Sequence, residues 1–308
     1  MAFTAKDVAE LRKQTGCGMM DCKRALTDAN GNLEEAVKIL REKGMAVTAK
    51  KASRIAAEGL VDILKDGDVT AMIEVNSETD FVAKNDTFKA FVQGILKTVI
   101  ATRPANVEEL LTKKFADSDD TVEAELQSKT FTIGEKLSIR RFAIIDGVTS
   151  TYIHGTGATG VVVSFDADDA AANNAGFAEF AKNIALQLAA FPIAYVSKED
   201  VPASVIEEEK AILIKQMEQD PKFANKPAKV LEGIVAGKLG KYYEQNCLLE
   251  QAYVKDDSMK VSKYVAESAK AFGGNITVKS FVRYDKGEGL EKREENFAEE
   301  IAKMVNKQ

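Results

Sequence analysis

The chain has 308 residues, of which 45% are hydrophobic and 29% charged, and a formal net charge of −6. That length allows two or three domains with cores of their own, and the composition is that of an ordinary globular protein. The acidic balance speaks against nucleic acid as a partner, because phosphate binding rests on a surplus of Lys and Arg. No run approaches the roughly 20 apolar residues of a membrane span, so no membrane partner is expected either. In chain order, Met1-Ala2-Phe3-Thr4 leads into a charged amphipathic segment with no apolar h-region, and Asp7 and Glu10 come too early for a transit peptide. A cytoplasmic protein is expected.

Residues 1–44 read as three short helices. Thr4 with Asp7 forms a capping-box pattern, and Val8 and Leu11 mark one apolar face. Thr15-Gly16-Cys17-Gly18 interrupts the pattern, and a second helix is predicted from Met19 to Ala29. Asn32 with Glu35 starts a third, in which Leu33, Ala36, Val37 and Leu40 share a face and Gly44 marks the end. Residues 45–57 read as a linker, with Lys43, Lys50, Lys51 and Arg54 as a solvated basic cluster.

Beyond the linker the period shortens. Leu60–Leu64 and Val69–Val75 flank Lys65-Asp66-Gly67-Asp68 as a hairpin, with Val69, Ala71, Ile73 and Val75 on one face. A helix follows with Phe88, Phe91, Val92, Ile95 and Val99 in a stripe. The pattern returns at an offset of 89 residues: Ser150–Ile153, a glycine-rich turn, Gly160–Val163, then a helix bearing Phe177, Phe180 and Ile184. The expected organisation is α+β, with a first core unit at 58–146 and a second begun at 147–199. Each hairpin-plus-helix unit alone leaves an apolar sheet face bare, so the two together are expected to form the core. Residues 200–245 read as an inserted antiparallel helical hairpin, with Val205, Ile212, Leu213, Val230, Ile234 and Leu239 at helical spacing. Pro221 and Pro227 punctuate it. Its irregular heptads support no long parallel coiled coil, and dimerisation, though possible, has no support in the sequence. Strand-like runs at Ile276–Val278 and Phe281–Tyr284 complete the second unit as a return segment, 246–285. A C-terminal helical module, 286–308, carries Phe297, Ile301, Met304 and Val305 on one face.

No catalytic constellation is visible. His154 is the sole histidine and no Gly-x-Ser-x-Gly elbow accompanies it. Neither a phosphate-binding glycine loop nor a dinucleotide fingerprint occurs, so no nucleotide or other cofactor is expected. Cys17, Cys22 and Cys247 suit neither a disulfide framework nor a four-ligand zinc site and read as small buried hydrophobes. The segment Ser77-Glu78-Thr79-Asp80-Phe81-Val82-Ala83-Lys84-Asn85 stands out, because its second-copy positions, Asp169 and Ala170, do not reproduce it. Phe81 beside Asp80 in a polar loop is a candidate interface anchor. Equally, Phe81 at the start of a helix is able to pack inward.

Three blocks resemble the elongation factor Ts family: Leu11-Arg12 through Thr15-Gly16-Cys17-Gly18-Met19-Met20-Asp21-Cys22-Lys23, then Thr79-Asp80-Phe81-Val82-Ala83-Lys84-Asn85, then Tyr152-Ile153-His154-Gly155. The closing Gly287-Glu288-Gly289-Leu290-Glu291 is similar too. The resemblance implies a ubiquitin-associated-like N-terminal module, a duplicated core, an inserted helical hairpin and a C-terminal module. It implies no enzymatic activity and one partner, elongation factor Tu, from which such a protein drives GDP release. Residues Thr79 to Val82 are implied at the interface, with Asp80 and Phe81 entering near the partner's Mg2+ site. His154 with Gly155 is implied near its phosphate loop, and Leu11, Met19 and Met20 gripping its nucleotide domain. A peptide-binding scaffold built on the N-terminal module is the alternative.

Overall fold

Local capping starts the first helix, α1 (Ala5–Thr15): the Thr4 N–H donates to Asp7 Oδ2 at 2.7 Å and the Asp7 N–H donates back to Thr4 Oγ1 at 3.4 Å. The computed structural model describes residues 3–116, 118–220, 222–223 and 227–291. Gly16, at φ +67°, closes α1 in the left-handed conformation that glycine adopts freely. Helix α2 (Met19–Asp28) follows, and Asn32 accepts from the Glu35 N–H to begin α3 (Leu33–Lys51). Leu11, Cys22, Leu26, Ala36 and Leu40 close a small core between the three helices.

Two expectations fail here. Helix α3 does not stop at Gly44 but continues to Lys51. Gly44 makes no chain reversal but lies buried within the helix, where a Cβ would meet the Phe131 Cβ at an ordinary contact distance of 3.7 Å. The basic cluster is also only partly solvated, with Lys50 and Arg54 exposed and Lys51 not. Lys51 is buried and donates to the Gly134 carbonyl, Lys43 pairs with Asp21 at 2.7 Å, and Arg54 pairs with Glu78 at 3.1 Å. Burial, and then the charge of Arg54, hold the Lys51 ammonium below its ordinary pKa.

The described chain divides into two compact units. One holds the chain up to Ile144 with Gly155–Thr159 and the segment from Tyr284 onward; the other holds Ile145–His154 and Gly160–Arg283. In the first, β1 (Glu58–Asp66) and β2 (Val69–Ser77) pair antiparallel from Glu58↔Ser77 to Asp66↔Val69. Gly67, at φ +58°, makes the turn between them. Helices α4 (Asp80–Lys84), α5 (Asp86–Thr102), α6 (Val107–Thr112) and α7 (Val122–Ile133) follow, then β3 (Ser138–Asp146), giving the strand order β1-β2-β3. Ala71, Ile73 and Val75 pack with Phe88, Phe91, Ile95 and Val99 as the sequence period implies. The opposite face of β2 is buried as well, Glu74 and Met72 included.

The second unit contains β4 (Val148–His154), β5 (Thr159–Ala167), α8 (Asp169–Ala172) and α9 (Phe177–Ala190). After α10 (Ala203–Gln219) and α11 (Ala228–Asn246) come β6 (Ala252–Tyr253), β7 (Asp256–Lys260), α12 (Val261–Phe272) and β8 (Ile276–Asp285). Its strand order, β4-β5-β8, parallels that of the first sheet. Phe177, Phe180, Ile184 and Leu188 enter its core, joined by Val265 from α12. The two terminal strand runs are one strand, and α12 and the β6–β7 hairpin were not legible in the sequence. In the helical hairpin Leu213 and Leu239 are buried, but Ile212 and Val230 are exposed. A helix turns about 100° per residue, so of the neighbours Ile212 and Leu213 only one faces inward.

The second-copy segment at Asp169 also needs correcting. The short helix recurs there as α8, 89 residues after α4, but the residues do not: Ala170, Ala171 and Asn173 stand where the first copy has Phe81, Val82 and Lys84. The expected face of Phe297, Ile301, Met304 and Val305 lies outside the described residues; of the module 286–308, only 286–291 are described. Among the described residues, no helix is long and apolar enough to cross a membrane.

A candidate partner-binding site on a one-turn helix

The strand-to-helix junction after β2 is held by carboxylates on both sides. The Thr79 N–H and hydroxyl both donate to Glu135, at 3.0 and 2.6 Å. In return Glu78 accepts from the Lys136 N–H at 2.6 Å and from Arg54. The Ser77 hydroxyl donates to the Thr79 carbonyl at 2.9 Å. Charge-assisted hydrogen bonds of this kind are about twice as strong as neutral ones, so the segment 77–79 is firmly placed against the turn 134–136.

From that base α4 divides its side chains cleanly. Val82 and Ala83 are buried in the core of the first unit. Phe81 points the other way and is 78% exposed. The structure therefore rejects inward packing of Phe81, and the residue lies on a helix rather than in a loop. Lys84 ties the outer face together: its Nζ donates to Asp80 Oδ2 at 2.6 Å and lies 5.7 Å from the centre of the Phe81 ring. The hydrogen bond from Lys84, aided by the charges of Lys84 and Lys286, holds the Asp80 carboxyl below the usual carboxylate range. Asp80 is thus an anion beside an exposed aromatic ring.

Met19 and Met20, in the first turn of α2, are also exposed, at 56% and 60%. Leu11 is not available as a contact. It is fully buried, because the face it shares with Val8 closes onto Cys22 and Leu26. Val82 is likewise an internal anchor, and Thr79 faces Glu135. Of the expected contact residues in the first unit, Met19, Met20, Asp80 and Phe81 reach the surface. In the second unit His154 ends β4, exposed, with Nδ1 3.4 Å from the Tyr152 hydroxyl. Gly155 and Gly157 take positive φ, and the Gly157 carbonyl accepts from the Val61 N–H at 2.8 Å; a Cβ on Gly157 would press on Leu60 and Val61. Close approach of backbone explains that glycine.

One cluster was missed altogether. Glu74, wholly buried, accepts from Arg140 Nη1 at 3.0 Å, Arg141 Nε at 2.7 Å, the Gly287 N–H at 2.7 Å and Asn76 Nδ2 at 3.1 Å. Arg141 also reaches Glu288 at 3.0 Å and covers the Tyr284 ring at 4.1 Å. Burial pushes the Glu74 carboxyl upward, but the Gly287 N–H, Asn76 and the two arginines outweigh it and hold it below its ordinary value. The alternation of β2 marked Glu74 only as a residue off the apolar face. Apart from Asn76, its partners lie 66 and more residues away, beyond any local signal.

The description "Elongation factor TS" belongs to a family model that matches residues 78–288, a span that opens beside the Thr79–Glu135 junction and closes at Glu288. Elongation factor Ts of Syntrophotalea carbinolica is 44% identical over 309 residues, covering 99% of this chain and 100% of that one. That of Clostridium botulinum strain Eklund 17B is 45% identical over 310 residues, with 99% and 100% covered. That of Clostridioides difficile strain 630 is 45% identical over 307 residues, with 98% and 99% covered.

Proposed function

The chain belongs to the elongation factor Ts family, whose role is guanine-nucleotide exchange on elongation factor Tu, and we propose that helix α4 is the element by which it promotes GDP release. The exposed Phe81 carries this reading: a large apolar ring turned outward, on a helix whose other face and first residue are anchored, is arranged for a partner. A GTPase holds its nucleotide through backbone N–H groups and a Mg2+ ion bridging phosphate oxygens. Mg2+ demands nearly ideal octahedral geometry, so a small displacement of its ligands loosens it. Entry of Phe81 between partner helices near that ion, with the ionised Asp80 beside it, supplies such a displacement. Met19 and Met20 hold the partner's nucleotide domain with side chains that adapt to an irregular surface. His154 and Gly155 act near the phosphate loop. No bond to the protein is made or broken, and the protein is not an enzyme.

Linkage sets the energetics. Whatever factor this protein takes from nucleotide affinity, nucleotide takes from its own binding. Burying the Phe81 side chain supplies about 1.5–3 kcal/mol, and each tenfold in affinity needs about 1.4 kcal/mol. A few such contacts shift nucleotide affinity by several powers of ten. In this reading the three N-terminal helices form a ubiquitin-associated-like module, the two sheet-bearing units a duplicated core and α10–α11 an insertion, in a cytoplasmic protein. The test is Phe81→Ala. Because the ring is exposed, the variant should melt as the parent does, while stimulated release of a fluorescent GDP analogue falls strongly, a central aromatic anchor being worth about 2 kcal/mol or more. Normal melting with normal stimulated release defeats the wedge.

A further inference from the structure

Helix α4 is too short to hold its own place: an isolated helix of one turn is unstable in water. Threonine at the N-cap normally lends its oxygen to an N–H of the first turn, stabilising the helix by about 1 kcal/mol. Thr79 makes no such bond. Its hydroxyl and its N–H are both turned away from the helix, to Glu135. Asp168, the N-cap of the corresponding α8, behaves differently. One of its carboxylate oxygens caps its own helix through the Ala171 N–H at 3.0 Å, leaving the other for Asn275. That second helix carries Ala170 where α4 carries Phe81. The usual cap is thus given up on the helix that presents an aromatic ring, and kept on the one that does not.

We infer that Glu135 is a positioning residue for nucleotide exchange: by binding both donors of Thr79 it sets where α4 begins and which way Phe81 points. The inference rests on reading α4 as the wedge. The turn that carries Glu135 is itself anchored. Lys51, at the end of α3, donates to the Gly134 carbonyl, and Lys136 Nζ donates to the carbonyls of Ala52 and Arg54 at 2.7 and 2.8 Å. The turn 134–136 therefore fastens the start of α4 to the end of α3, the helix that packs against α2, which carries Met19 and Met20. A partner gripped by α2 meets Phe81 at a set direction, and the strain of wedging is borne by the Glu135 contacts rather than lost in a swivelling helix. Near a reacting centre, small misplacements are known to cost orders of magnitude in rate.

The test uses the full chain with elongation factor Tu loaded with a fluorescent GDP analogue, following release against increasing concentrations of the exchange factor. Glu135→Ala should lower the maximal release rate about tenfold, the equivalent of one lost charge-assisted hydrogen bond, while the half-saturating concentration stays within about twofold. Glu135→Gln, which keeps an acceptor oxygen, should restore part of the rate. In a Phe81→Ala background Glu135→Ala should cause no further slowing, because its effect passes through that ring. A slowing that multiplies with that of Phe81→Ala, a change in half-saturation alone, or a parental rate in Glu135→Ala overturns the inference. Should Glu135→Ala not fold, Thr79→Val carries the same test by removing only the hydroxyl donor; it should slow release in the parent and not in Phe81→Ala. A parental rate in Phe81→Ala overturns the wedge itself, whereas a slow Phe81→Ala beside a normal Glu135→Ala overturns only the role of Glu135.

Discussion

Replacing Glu74 with Gln should destabilise the protein markedly without touching the proposed contact residues Met19, Met20, Asp80 and Phe81. The substitution keeps the side-chain shape and an acceptor for the Gly287 N–H, but removes the negative charge between Arg140 and Arg141 and turns an amide NH2 toward one of them. Breaking a buried ion pair by altering one partner costs about 3–5 kcal/mol. Arg140 and Arg141 are 23% and 29% exposed and Arg141 keeps Glu288, so the lower end, about 3 kcal/mol, applies. For a domain of this size each kcal/mol moves the melting temperature by roughly 2–4 °C, giving a fall of roughly 6–12 °C at neutral pH. The pH dependence has a definite sign. The folded-state pKa of Glu74 lies below its ordinary value of 4.5. Its contribution is therefore complete above that value and is lost as pH falls through the lower, folded one. Calorimetric melts of parent and variant should differ at neutral pH and converge only in acid below about pH 4.5. A variant melting within about 1 °C of the parent at neutral pH would show that the cluster contributes no net stability.

Other outcomes follow from exposure. Met19→Ala with Met20→Ala should weaken binding to elongation factor Tu in titration calorimetry by about 1–2 kcal/mol in all, with unchanged melting, since both side chains stand in solvent; equal affinity would make them bystanders. His154→Ala should slow stimulated GDP release by less than Phe81→Ala does, because one polar contact is worth about 0.5–1.5 kcal/mol; lost thermal stability with full exchange would make it a structural residue. Deleting α10 and most of α11, about residues 203–242, across a short glycine-serine linker should leave a soluble core that still exchanges. The cut spares Tyr243, whose carbonyl accepts from the Cys247 N–H at 2.8 Å, and Cys247 and Leu248 are fully buried. Insolubility of the remainder would place the hairpin in the core.

What could be read without coordinates was local. The Thr4–Asp7 and Asn32–Glu35 caps, the Gly67 turn and the 89-residue recurrence of buried phenylalanines all depend on neighbours a few residues apart, or on a repeated pattern. What was misread depended on distant chain. Lys50 and Lys51 are chemically the same and adjacent, yet only Lys51 is buried, because the Gly134 carbonyl waits 83 residues further on. Gly44 looks like a helix stop until Phe131 is seen against it. At the site, the family motif picked out Asp80 and Phe81, but periodicity left the direction of the ring open, and burial alone removed Leu11 from the contact set. Glu135 carries no motif; only its two bonds to Thr79 mark it.

The connectivity of the first unit has a consequence for how the protein is made. Glu74 leaves the ribosome early, but the Gly287 N–H that it binds follows 213 residues later, and Lys286 is 228 residues from Glu58. During synthesis, the first sheet must therefore wait through the whole of the second unit before its charge cluster is complete. Loop closure adds only about 0.6 kcal/mol per doubling of length, so the detour weakens the finished protein little. Its effect is on timing. The Glu74 carboxylate and the two arginines lack this backbone donor until residue 287 has been made, so the cluster closes only after the whole second unit has been synthesised.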